Sequence, residues 1–116
     1  MTSYIQVLLA SHGQTVTIRS VTKTYDERGD ATETYADHTG VVFIYNVREE
    51  EELQKFGAIV GELIKGYADP DADYASEITE GNIIIWNGQS YRIISANETS
   101  SILDNERHIE FVAKKE

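Results

Sequence analysis

Apolar and polar residues alternate along most of this chain in short runs, and glycine, asparagine and aspartate punctuate the runs. Residues 15–21, Thr-Val-Thr-Ile-Arg-Ser-Val, alternate polar residues with apolar β-branched ones over Thr15 to Arg19, which predicts a strand with one buried face. Asp26-Glu27-Arg28-Gly29-Asp30 reads as a hairpin tip, from which residues 32–36 return. The unbroken run Val41-Val42-Phe43-Ile44-Tyr45 predicts a further, central strand, buried on both faces or packed closely beneath a helix. Ahead of these, Tyr4, Val7, Leu8 and Ser11 fall at helical spacing, with Ser3 placed to cap a short helix over residues 3–11 and Gly13 placed to stop it.

Asn46 followed three residues later by Glu49 has the form of a capping box, and Glu49 to Glu52 set negative charge at the positive end of a helix dipole. A helix starting near Val47 is therefore predicted. Its end is ambiguous, because Leu53, Phe56, Val60 and Leu63 recur at steps of three and four, whereas Gly57 and Gly61 each cost a helix interior about 1 kcal/mol relative to alanine. Ile59, Leu63 and Tyr67 equally share one face of a strand. The glycines favour a short helix over residues 47–55 and a bent strand over 59–67.

Residues 68–81 form a polar, acidic loop, and Ile83-Ile84-Ile85-Trp86 is an apolar strand. Asn87-Gly88 is the strongest hairpin signal, since a type I′ turn needs positive φ at both central residues. Residues 91–96 pair back, residues 97–105 form a second loop, and residues 108–112 alternate as a last strand. The pattern predicts a mainly β fold, a small antiparallel β-barrel with one inserted short α-helix and a second helix at the N-terminus. No repeat, low-complexity tract or linker interrupts the 116 residues, so a single domain is expected over 1–116.

Composition excludes several kinds of chemistry. The chain has no cysteine, which rules out disulfides, Cys-ligated zinc, iron–sulfur clusters and thiol catalysis. Twenty acidic against ten basic residues give a net charge of −10, which repels phosphate backbones, and only Lys114 and Lys115 are adjacent. The first residues lack the positive segment of a signal peptide, and no run approaches the roughly 20 apolar residues of a membrane helix. Cytoplasmic synthesis without membrane contact is expected.

Asp69, Asp71, Asp73, Glu77 and Glu80 stand at relative positions 1, 3, 5, 9 and 12, the ligand positions of a calcium-binding hand loop. Tyr74 occupies the place of the turning glycine, Pro70 holds position 2, and strands flank the loop, so a solvated acidic loop is expected and calcium is kept as an alternative. His12, His38 and His108 lack the spacing of a zinc site. Neither Ser11-His12 nor Ser90 beside Tyr91 makes a nucleophile elbow, and the expectation is a protein without catalytic residues or cofactor. Seven tyrosines suit a surface that is exposed before assembly and buried after it.

The order of elements resembles the head-closure (stopper) or head–tail connector proteins of long-tailed bacteriophages and related archaeal viruses. The carriers are Val16-Thr17-Ile18 entering a hairpin, Gly40-Val41-Val42 leading to the Glu-rich helix, and Phe56 through Leu63. Gly66 to Asp73, Gly81-Asn82-Ile83-Ile84, and Asn87-Gly88-Gln89-Ser90-Tyr91-Arg92 complete the pattern, which covers residues 14–112.

The resemblance implies a virion structural protein at the head–tail junction. Such subunits form a ring below the portal and adaptor rings, close the DNA channel and dock the tail protein. Packaged DNA would pass the lumen without sequence-specific binding. Glu49, Glu50, Glu52, Leu53 and Phe56 are the first candidates for the ring interface. The channel loop would fall to the segment of Gly57 and Gly61, or to that of Asp69, Asp71, Asp73 and Tyr74. Tail completion or termination at the same junction is the neighbouring reading. A free-standing barrel binding a ligand, or calcium through Asp69, Asp71, Asp73 and Glu80, is the alternative from a different class.

Overall fold

A computed structural model describes residues 4–100 and 107–116. Helix α1 (Tyr4–His12) leads into β1 (Gln14–Tyr25) and β2 (Ala31–Asn46). Helix α2 (Glu50–Lys55), β3 (Leu63–Ala68), a 3-10 turn (Ala75–Glu77), β4 (Ile83–Trp86), β5 (Gln89–Ser100) and β6 (Arg107–Lys115) follow. The strands close into an antiparallel barrel in the order β1-β2-β3-β6-β5-β4, with β1 returning to β4.

Period-2 patterning fills the interior. Ile18, Val42, Ile64, Ile84, Ile93 and Phe111, one from each strand, are at most 1% exposed and belong to one cluster. Each contributes roughly 1.5–3 kcal/mol of apolar burial. Between Phe111 and Ala113, Val112 points outward and joins Val47, Leu53 and Leu63 in a second cluster on the outer wall, with Ile94 packed against it. A β-bulge between Ile93 and Ser95 lets the adjacent Ile93 and Ile94 serve the inner and outer clusters respectively. The loop after β3 closes over the barrel by burying Ile78 in the main cluster, where Tyr74 and Ala75 pack against it.

Several boundaries differ from the sequence reading. Residues 31–46 are one continuous strand, so the return of the first hairpin and the apolar run are a single element. The run is not buried on both faces, because Val42 and Ile44 point inward while Val41 and Tyr45 remain 38% and 37% exposed. Asn46 ends β2 instead of capping a helix. Helix α2 starts at Glu50, and Glu49, at its N-cap position, makes no side-chain cap bond. Val47 bonds Leu63 through its backbone N–H and is buried, which delays the helix by three residues.

The helix ends at Lys55 as expected, but β3 begins only at Leu63, and Ile59 and Val60 sit in an exposed turn. Residues 97–100 of the expected second loop continue β5 against β6; its residues 101–105 lie outside the described residues, as does the Ser3 cap. Asn87 and Gly88 take φ of 52° and 76°, the two positive values a type I′ turn requires.

Gly66 faces Phe111 across β3 and β6, and a Cβ there would strike the Phe111 ring and the Phe43 carbonyl oxygen. Gly66→Ala should destabilise the fold by about 1–3 kcal/mol in urea unfolding. Gly66→Ala/Phe111→Leu should recover part of that loss, and a neutral Gly66→Ala would contradict this packing.

Candidate functional site

The most exposed feature is the far part of the β1–β2 hairpin. Every residue from Thr22 to Thr39 is exposed, although the two strands remain paired out to Tyr25 and Ala31. A strand rises about 3.3 Å per residue, so the 12-residue β1 runs for roughly 40 Å. The molecule accordingly measures 53 × 33 × 27 Å. The outer half of the hairpin is an arm.

The arm's two faces differ because the strand period carries on past the barrel. Val16 and Ile18 point into the core, and the same face continues as Ser20, Thr22 and Thr24 beside Ala36, Thr34 and Thr32. That face is small, β-branched and uncharged. The opposite face carries a charge lattice. Arg19 donates from Nε and Nη2 to the two carboxylate oxygens of Asp37 at 2.8 and 3.1 Å, and its guanidinium lies 5.4 Å from the centre of the Tyr35 ring. Tyr35 in turn donates its hydroxyl proton to Glu33 Oε2 at 2.8 Å, and Lys23 Nζ stands 3.9 Å from Glu33 Oε1. At the tip, Asp26 Oδ1 accepts the N–H groups of Arg28 and Asp30, both at 2.9 Å.

Both edges of the arm are open. In an antiparallel pair, residues alternate between bonding the partner strand and facing away from it. The Val41 carbonyl faces away from β1 and accepts the Tyr74 hydroxyl, while the Val21 N–H faces away from β2 and donates to Asn82 Oδ1 at 3.1 Å. By this alternation Glu33, Tyr35, Asp37 and Thr39 turn their N–H and C=O groups off the outer edge of β2. Lys23 and Tyr25 do the same off β1. Strand β3 pairs with β2 only from Phe43 onward, and β4 reaches β1 only at Thr17, Ile18 and Arg19, so no described strand covers these groups.

The sequence candidates lie elsewhere. Glu49 and Glu50 are exposed, and Glu52 pairs with Lys65 at 3.0 Å. Leu53 is buried in the outer cluster and is not available to a partner. Phe56 is half-buried against the same cluster, with Lys55 Nζ 5.7 Å from its ring centre. Gly57 and Gly61 flank the exposed turn of Ile59 and Val60. In the acidic loop, Asp69 Oδ1 accepts the Asp71 N–H at 3.0 Å, Asp71 lies 3.3 Å from Arg107, and Asp73 is exposed. Tyr74 and Ile78 tie this loop to the barrel, an anchoring at odds with a free channel loop.

Glu77 lies 3.9 Å from His38, away from the aspartates, and Glu80 is exposed. Among the described residues no three acidic or histidine side chains converge as a metal would require.

An outward aromatic strip across β2, β3 and β6 was not singled out from sequence. Phe43 stacks on Tyr67 at 5.9 Å, Tyr67 meets His108 edge-on at 5.3 Å, and Phe43 lies 5.8 Å from Tyr45. Burial, then the neighbouring Tyr67, pushes the Tyr45 phenol up to about 12. Cross-strand register is what joins these residues, and single-strand patterns carry no register.

The hydrogen bond from Arg19 holds the Asp37 carboxyl below its ordinary value. A lowered folded-state value means that the contribution of this pair is present at neutral pH and lost as pH falls through that lowered value. An NMR titration should find Asp37 protonating below the ordinary aspartate range and moving back up in Arg19→Gln. An unchanged midpoint in that variant would show that the pair does not form in solution.

No protein-family model and no curated protein matches the chain. Among solved structures, the chain is similar to the solution structure of protein SF1141 from Shigella flexneri 2a, with a TM-score of 0.57 and 19% identity over 87% of this chain and 89% of that one. At this identity the likeness shows the fold alone, and it extends over nearly the whole of both chains.

Proposed function

We propose that this protein is a non-enzymatic structural subunit of a virion, forming a ring at the head–tail junction that closes the DNA channel and docks the tail. The observation that carries the reading is the arm: a paired hairpin, exposed from Thr22 to Thr39, whose outer edges no described strand covers and which touches the rest of the described chain near its root, through Val21 and His38. A monomeric protein gains little from holding such a ribbon out of its barrel, whereas a subunit that meets neighbours uses it as contact surface. The barrel interior supports the same reading, because Phe111, Ile64 and Ile84 fill it where a ligand-binding barrel would keep a cavity.

Charge fits the task. A net charge of −10 keeps packaged DNA from adhering to the wall it slides past, so the lumen would guide DNA without reading its sequence. Adaptor or portal subunits above and a tail protein below are the partners this position implies. The small mainly β barrel with inserted α2 agrees with the architecture expected of head-closure proteins.

DNA-filled particles produced by the genome that encodes this chain provide the test. Mass spectrometry and electron microscopy should find the chain in a single ring's copy number at one level of the head–tail junction. Absence from purified particles would overturn the proposal. A ring at the head-distal side of the junction would reassign the chain to tail completion.

A further inference from the structure

We infer that the arms of neighbouring copies pair edge to edge, β1 of one chain beside β2 of the next, so that the ring is held by a continuous collar of antiparallel hairpins. This rests on the ring reading above and names the surface and partner for it: a second copy of this chain, bound through backbone groups of Lys23 and Tyr25 on one side and Glu33, Tyr35 and Asp37 on the other. The geometry allows it. Each hairpin is antiparallel, so placing β1 next to a neighbour's β2 continues the alternation of strand directions, with every tip pointing the same way.

Charge selects this arrangement over the other two. On the lattice face, the open length of β1 carries Lys23, since the edge at Arg19 is taken by β4, and β2 carries Glu33 and Asp37. Pairing β2 with a second β2 would set Glu33 and Asp37 against their own kind, and pairing β1 with β1 would set Lys23 against Lys23; like charges across strands are destabilising. Only the unlike pairing places Lys23 between acidic residues on both sides. That contact is heterologous, the class that forms a ring when the rotation between neighbours closes, and the two disfavoured contacts are those that would stop at a two-fold dimer.

The β2 edge lacks several of the usual guards against strand addition. From Ala31 to Thr39 it has no proline and no lysine, its register with β1 runs without a bulge, and its charges, Glu33 and Asp37, are both acidic, so they repel a second β2 and admit a strand carrying Lys23. Closer to the barrel, Tyr74 occupies the Val41 carbonyl, which limits the open rungs to the arm itself. The Ser/Thr/Ala face adds a flat surface with no bulky side chain to splay adjacent hairpins.

The test uses the full chain in sedimentation and electron microscopy. Tyr35→Pro removes an N–H that points off the edge and leaves the β1–β2 bonds in place, because proline is tolerated on an edge strand. It should preserve the barrel's amide spectrum and weaken self-association roughly tenfold or more, the scale of a lost interchain hydrogen bond. Lys23→Glu and Glu33→Lys should each assemble poorly alone and regain assembly when mixed, since every contact between unlike variants sets opposite charges against each other. Rings of Tyr35→Pro identical to wild type, or no gain on mixing, would overturn the collar and leave the junction assignment intact. Absence of the chain from particles would remove that assignment whatever the arms do in solution.

Discussion

Everything in this structure depends on how β1 is shared. The barrel closes because β1 pairs with β4 at Thr17, Ile18 and Arg19, with Thr17 and Arg19 turned toward it, and among the described residues β4 reaches β1 nowhere else. Strand β4 is four residues long, fixed by the Asn87-Gly88 turn at one end and Asn82 at the other, so closure cannot spread further along β1. β2 has parted from the wall still closer to the barrel, pairing with β3 only from Phe43, six residues beyond Asp37, the partner of Arg19. Two long strands therefore have to leave a short-walled barrel together. Arm and barrel are one consequence of unequal strand lengths.

That inequality also explains what patterning made legible. The Asn87-Gly88 hairpin, the inward alternation of Val16 and Ile18, and the stop of α2 at Lys55 follow from local chemistry acting over a few residues, and each was readable. The capping-box pattern at Asn46 failed because the backbone of Val47 pairs with Leu63, a contact sixteen positions away that no local motif encodes. The apolar run at 41–45 suggested burial on both sides or packing beneath a helix, and the contacts of α1 with β2 and β3 fit the second, with the aromatic strip supplying further partial cover.

The arm was half legible. Asp26 to Asp30 announced a turn, and Asp26 does cap it from within, but nothing in residues 22–39 says that their neighbours are solvent. Threonine-rich alternation reads the same whether the far face is covered or bare. The acidic residues that drew attention, Asp69 to Glu80, turned out to serve a loop whose apolar members, Tyr74 and Ile78, hold it down. Sequence spacing located the carboxylates; packing decided that they face apart.

Asn82 has a mechanical consequence. Its side chain stands in for the next rung of the β4 ladder, accepting the Val21 N–H while its Nδ2 donates to the Glu77 carbonyl at 2.8 Å. One amide thus fastens the root of the arm to the loop over the barrel's end. A pull along β1 would load this amide and the rungs at Thr17 and Arg19 sideways and all at once, as glue under shear, whereas a sideways push on the tip would open them singly from Asn82 inward. Bonds loaded together resist more than bonds loaded singly, so the ribbon should resist tension better than bending, and on its β1 side a single asparagine is the first contact that bending would open.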